Sequence, residues 1–185
     1  AYEITYGDWS SDVCSSDLNR ATADPEAHCY LPGVPRATYM GFPFRISQTP
    51  KVVVMTYEYA HNLRIIATDG SPHAERVDFW NGDSRGRWEG DTLVVDVTGF
   101  NEETWFDRAG NFHSDALHVV ERYTPVAKDV LRYEVTIEDK NVFSRPWKMS
   151  MPLYRRLEDR ARLTEYKCVD FAEELLYGHL RRKTE

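Results

Sequence analysis

The densest run of chemically able side chains lies between Gly99 and Arg122. There Asn101, Thr104, Trp105, Asp107, His113, Ser114 and Asp115 precede a β-prone segment carrying His118 and Glu121. Polar loops beside a rigid sheet are where binding and catalytic groups concentrate. His73, in the Asp69-Gly70 loop, can approach from another edge. His73, His113 and His118, with Asp115 or Glu121, supply the donors of a two-histidine, one-carboxylate metal site. The same inventory supplies a metal-free alternative, in which His113 is a catalytic general base oriented by Asp115 or Glu121. Against both stands plain structural hydrogen bonding by histidines at sheet edges. His113-Ser114-Asp115 contains the letters of a hydrolytic triad, but sequence neighbours rarely converge as nucleophile, base and orienter. His118 and Glu121 fall on opposite faces of a regular strand, so they share a ligand only across a bulge.

A second set is aromatic: Tyr57, Tyr59, Trp80, Trp88, Trp105, Tyr133 and Trp147, interleaved with Glu58, Arg64, Glu134 and Thr136. In a barrel such residues line a cavity for a flat, partly apolar molecule. On that reading Tyr57, Glu58, Arg64, Trp88, Trp105 and Glu134 are the ligand-binding candidates. The competing reading is core packing, which large aromatics dominate in any case. No residue pattern specifies a cofactor.

The elements that must position these groups are mostly strands. Gly86 to Phe100 reads G-R-W-E-G-D-T-L-V-V-D-V-T-G-F. A strand ending at Trp88 turns on Glu89-Gly90, and Asp91 to Thr98 returns, because glycine accepts the positive φ of a tight turn. Thr92, Val94 and Asp96 then face one way, and Leu93, Val95 and Val97 the other. Lys51–Tyr59 and Leu63–Thr68 form a hairpin before this unit. Leu117–Tyr123 and Val130–Glu138 form a second after it, followed by alternation from Trp147 to Tyr154. Arg162 to Val169 reads as a last strand. The pattern predicts an all-β fold, an antiparallel up-and-down barrel or strongly curved, calycin-like sheet of seven or eight strands with short connections. The Pro- and Gly-rich stretch from Asn19 to Pro50 reads as an irregular arm, its aromatics Tyr30, Tyr39, Phe42 and Phe44 lying against the sheet. One C-terminal helix follows, capped by Asp170 with Glu173, with Phe171, Leu175, Leu176 and Leu180 as its apolar stripe. Arg181-Arg182-Lys183 suit the negative end of its dipole.

The first residues are of another kind. Asp8 to Leu18, D-W-S-S-D-V-C-S-S-D-L, is the in-frame translation of a widely used short-read sequencing adapter, and Ala1 to Ile4 match its upstream part. Residues 1–18 are therefore expected to be adapter-derived, as in an environmental gene fragment, leaving 19–185 as a single β-rich domain whose original start lies upstream. Setting aside Glu3, Asp8, Asp12 and Asp17 reduces the 30 acidic residues to 26 against 23 basic ones, and the formal charge from −7 to −3. A mildly acidic chain without a basic stripe does not suit nucleic acid as a partner. No apolar run reaches the roughly 18 residues of a helical membrane span. Cys29 and Cys168 remain, one near each end and in no C-x-x-C pattern, so they are either two buried thiols or one disulfide.

Several stretches carry a resemblance: C-Y-L-P-G-V-P-R (29–36), I-S-Q-T-P (46–50), D-G-S-P-H (69–73), the 86–100 hairpin, H-S-D-A-L-H-V-V-E-R (113–122) and E-Y-K-C (165–168). From about Asp24 to Asp170 the chain resembles an uncharacterised family of exported bacterial proteins. Ser71 stands where that family more usually has Arg. The resemblance implies a secreted or periplasmic location, and with it a Cys29–Cys168 disulfide. It implies no catalytic residue. Three functions are expected in order: an exported barrel binding a small, partly apolar organic molecule; an enzyme acting on a small organic substrate through a His/carboxylate site around His113; and an envelope-associated interaction domain.

Overall fold

A computed structural model describes residues 23–170 and 172–180. The expected adapter segment, Phe171, the side chain of Glu173 and the basic cluster 181–183 lie outside the described residues. One eight-stranded sheet dominates, with the strands in sequence order: β1 (Phe44–Gln48), β2 (Val52–Tyr57), β3 (Leu63–Ala67), β4 (Asp83–Glu89), β5 (Thr92–Thr98), β6 (His118–Ala127), β7 (Val130–Glu138) and β8 (Trp147–Tyr154). It curls into a half-barrel, the strongly curved form of the expected all-β fold.

The central hairpin forms where the sequence reads it, with its turn one residue later, on Gly90-Asp91 rather than Glu89-Gly90. Glu89 pairs with Thr92 across Gly90-Asp91, and Gly90 adopts φ +61°. A glycine first in a two-residue loop matches the twist of the strands it joins. Leu93, Val95 and Val97 point into the concave core with Val119, Val135 and Ile137 from the next two strands. Gly86 permits the curl: a Cβ there would stand 2.8 Å from Ile66 Cγ2 and 2.9 Å from Thr68 Cγ2.

Three expectations need correction. First, β3 and β4 pair in parallel, at Ile66–Ser84 and Ala67–Arg85. Parallel neighbours require a crossover, since the chain must return to the same end of the sheet. Residues 68–82 supply it, and this long connection carries His73 over the convex face. Second, Phe44–Gln48, assigned to the arm, is the first strand, while Arg162–Val169 is not a strand. Residues 162–169 instead hang on side chains: Glu58 Oε2 accepts from the Thr164 amide at 2.8 Å, Tyr166 packs on Phe42 and Tyr59, and Cys168 is bonded to Cys29. Third, the C-terminal helix α2 (Ala172–Tyr177) stops short of Leu180, which lies in the following 3-10 turn, and the described stripe residues Leu175, Leu176 and Leu180 are exposed.

The arm plugs one part of the concave face. Helix α1 (Arg36–Tyr39) and the preceding turn place Val34 and Ala37 in the core beside Tyr57, and Thr38 Oγ1 lies 3.4 Å from the Tyr57 hydroxyl. The half-barrel interior is thus filled by its own chain. Along β8, Trp147, Met149, Met151 and Leu153 remain half-buried at the open margin.

Candidate functional site

Three polar assemblies and two open clefts emerge from this frame. The first lies in the barrel interior. Arg64 on β3 meets Glu121 on β6, three strand positions away; in a flat sheet that spacing is about 14 Å. The curl brings them into a buried ion pair between Arg64 Nη2 and Glu121 Oε2. Arg64 Nε also donates to Ser84 Oγ at 2.9 Å, and Tyr123 and Tyr133 donate to Glu121 Oε1 at 2.9 and 2.8 Å. Arg64 is 2% exposed and Glu121 0%. Burial opposes the charge on Arg64, but the facing carboxylate more than offsets it and raises its pKa further. Burial and the same carboxylate hold the Tyr123 and Tyr133 hydroxyls protonated. Two ligand-binding candidates, Tyr57 and Arg64, and one catalytic candidate, Glu121, belong to this inward-facing set.

His113 is elsewhere in the interior. It is 2% exposed, wedged against Phe100 and Phe106 at ring separations of 5.6 and 5.4 Å. Its Nδ1 lies 3.0 Å from the Ser114 carbonyl oxygen, and its Nε2 lies 2.7 Å from Thr104 Oγ1. A carbonyl only accepts, so Nδ1 carries the proton and Nε2 accepts from the Thr104 hydroxyl. Burial depresses the imidazole pKa, the nearby Asp139 and Glu102 charges notwithstanding. Asp115 is exposed, with its amide near Glu102 Oε1 at 3.4 Å. The proposed trio of His113, Asp115 and Glu121 is therefore not brought together: one member is bonded within the core, one faces solvent, and one pairs with Arg64.

His73 and His118 do converge, on a carboxylate that sequence reasoning placed only on a strand face. Asp96 on β5 accepts His73 Nε2 at its Oδ1 (2.9 Å) and His118 Nε2 at its Oδ2 (3.1 Å). The Nδ1 of His73 lies 3.0 Å from Asp83 Oδ2, and that of His118 lies 3.6 Å from Glu138 Oε2. Arg85 grips both oxygens of Asp83 at 2.9 and 3.0 Å. For Asp83 burial acts upward, but the Ala74 amide, Arg85 and His73 together hold its pKa below the usual aspartate value. For Asp96 burial also acts upward and the two imidazoles outweigh it. His113 stands apart from this group. The signal available in the sequence was the outward phase of Asp96 and His118 on adjacent strands; Asp96 pairs with Val120, two residues from His118.

The other ligand-binding candidates scatter. Trp88 is 46% exposed at the rim of β4, Glu58 holds residue 164, and Glu134 sits on the convex face opposite Arg122. Trp105 bridges to Phe112 and offers its carbonyl to Arg36 at 3.4 Å.

Of the two clefts, one of about 270 Å³ is bordered by His28, Tyr30, Trp80 and Glu103, and the other lies on the arm side of the barrel. It has a volume of about 310 Å³, with apolar walls from Tyr39, Met40, Phe42 and Phe106 and polar groups from Arg36, Asp107 and Arg108. Of the 99–122 run only Asp107 lines it, and none of the proposed catalytic, metal or ligand-binding residues does. Behind its wall Arg36 is clamped by Asp24 through two bonds of 2.9 and 2.8 Å, and reaches Glu26 at 3.3 Å. Arg108 donates to both Glu26 oxygens at 2.9 and 3.1 Å, and Tyr59 donates to Oε1 at 2.9 Å. Burial tends to raise the Glu26 pKa, but the Arg108 and Tyr59 bonds outweigh it and keep the carboxylate ionised. Arg36 gave no sequence signal because it lies in a Pro/Gly-rich arm without periodicity. No protein-family model matches this chain, and no curated protein or solved structure is significantly similar to it.

Proposed function

We propose that this protein binds a small, partly apolar organic molecule, and that the arm-side cavity is its site. The carrying observation is the cleft itself: an open recess of about 310 Å³ in which three aromatic rings and a methionine face two guanidinium groups and a carboxylate. That is the lower end of the size range of small-ligand sites, with the usual apolar walls and few polar anchors. Asp24, Glu26 and Asp107 set three carboxylates against Arg36 and Arg108, which favours a ligand whose polar end is neutral or cationic. The disulfide between Cys29 and Cys168 suits an oxidising compartment, which supports export.

The test is a thermal-shift and calorimetric screen of small aromatic amines, alcohols and acids, run beside Met40→Trp, which fills the cavity. Compounds with a neutral or cationic head are expected to raise the wild-type melting temperature and to bind saturably, and to do neither with the variant. Binding retained in Met40→Trp, or a preference for carboxylates, would contradict the assignment.

A further inference from the structure

The smaller cleft, of about 270 Å³, shares no wall residue with the arm-side one and is built from three separate segments. The arm supplies Ala23, Pro25, His28 and Tyr30, the β3–β4 crossover supplies Trp80, and the loop after β5 supplies Glu103. Backbone bonds fix each piece. The Tyr30 amide donates to the Pro25 carbonyl at 3.1 Å, and Cys29 ties the arm to Cys168. The Phe79 amide donates to the Gly99 carbonyl at 2.9 Å and the Asn101 amide to the Phe79 carbonyl at 3.2 Å, which joins crossover to loop. Asn101 Oδ1 then accepts from the Glu103 amide at 3.3 Å. On this frame the Tyr30 and Trp80 rings stack, with centroids 5.3 Å apart and planes 1° from parallel. Stacking uses one face of each ring, yet Tyr30 remains 55% exposed and Trp80 is only half-buried. Among the described residues no cation pairs with the Glu103 carboxylate beside them.

We propose that this cleft is a second binding site, for a quaternary ammonium group. The face of an aromatic ring is electron-rich and attracts a cation, most strongly when the ring is an indole. Tyr30 and Trp80 supply the rings, Glu103 supplies a full negative charge, and no wall residue is Lys or Arg. The donor count selects the kind of cation. A primary ammonium brings three N–H donors and the strong hydration of a compact charge. The cleft has a single carboxylate to receive them. A quaternary ammonium has no N–H to satisfy and presents methyl groups to the rings. Because three rigidly bonded segments hold the walls, little ordering is left to oppose binding.

The experiment titrates the full, disulfide-bonded chain with choline and, in parallel, with its uncharged isostere in which carbon replaces nitrogen. Tryptophan indole N–H and methionine methyl signals are followed by NMR. Choline is expected to move the Trp80 signal saturably and to bind about 5- to 30-fold tighter than the isostere, the factor for two cation–π contacts. Trp88, also exposed, is the internal control and should stay in place. Trp80→Leu is expected to weaken choline at least about 5-fold. Glu103→Gln, at an exposed position where native folding is expected, should weaken it about 2- to 5-fold. Phosphatidylcholine vesicles separate the two sources of the group. Sedimentation with them that Trp80→Leu abolishes makes the ammonium a lipid headgroup's, and a choline shift without sedimentation makes it a free solute's; both support the site. No saturable shift, equal affinity for choline and isostere, or equal shifts at Trp88 and Trp80 would overturn it. So would movement of the Met40 methyl with Trp80 still, which would put the cation in the arm-side cleft.

Discussion

Replacing Glu121 by Leu tests the claim that curvature, not local pairing, holds the barrel interior together. The substitution leaves the Arg64 guanidinium buried and facing no carboxylate, and takes the acceptor from the Tyr123 and Tyr133 hydroxyls. Breaking a buried ion pair from one side costs about 3–5 kcal/mol. Each orphaned hydroxyl adds about 1 kcal/mol or more, less than additively because the rings can turn. Domains of this size are stable by only about 5–15 kcal/mol, so the single variant should lose a large share of its stability. At roughly 2–4 °C per kcal/mol, the pair alone corresponds to a melting shift of about 6–20 °C. Arg64→Leu combined with Glu121→Leu should recover at least about 2 kcal/mol of that loss, since replacing both partners removes the uncompensated charge. Urea unfolding with the disulfide intact measures all three proteins. A Glu121→Leu variant within about 1 kcal/mol of wild type, or a double variant no more stable than the single, would refute the reasoning.

Other expectations follow from the same contacts. Reducing Cys29–Cys168, or replacing both by Ser, should cost about 2–5 kcal/mol in urea unfolding, because the bridge spans 139 residues and anchors the arm to the C-terminal coil. His113 has a depressed folded pKa, so below its ordinary value of about 6.5 the unfolded chain takes up the proton first and stability falls with pH. His113→Gln should flatten that slope between about pH 6.5 and 5 in pH-dependent melting. Glu26, Asp83 and Asp96 are depressed carboxylates, so their contribution is present above the ordinary carboxylate pKa of about 4 and lost as pH falls through the folded values. Arg36→Met should therefore make acid unfolding shallower as well as destabilise the arm. Gly86→Val should cost about 1–3 kcal/mol by overpacking against Ile66 and Thr68.

The fold was legible where one physical signal governed one element. Alternation over 130–138 and 147–154 fixed which side chains face the core, because one face of each strand is more buried than the other, whereas over 92–95 both faces are buried, Val94 included. The parallel β3–β4 pairing was not legible. Its crossover has no helix and reads as a plain loop, and only the two-residue register of Ile66 and Ala67 reveals it. Residues 162–169 alternate like a strand but are held by a disulfide, two ring contacts and one carboxylate, which leave no periodic mark.

The candidate site was half legible. Residue types flagged His73, His118, Arg64 and Glu121, but their partners are set in three dimensions. Glu121 meets Arg64 only through curl, and His73 meets His118 only through the crossover. His113 drew notice as an imidazole in a polar loop. Its surroundings, Phe100, Phe106 and Thr104, make it a core hydrogen-bonding group.

The most direct test of ligand binding reads the methionine methyl groups. The chain has four methionines: Met40 on the arm cavity, Met55 buried in the core, and Met149 and Met151 at the open margin of β8. Titrating ¹³C-methyl-methionine protein with the best compound from the screen should move the Met40 signal saturably and leave Met149 and Met151 in place. Shifts at Met149 and Met151 with Met40 still, or no saturable shift at all, would contradict the assignment of the site.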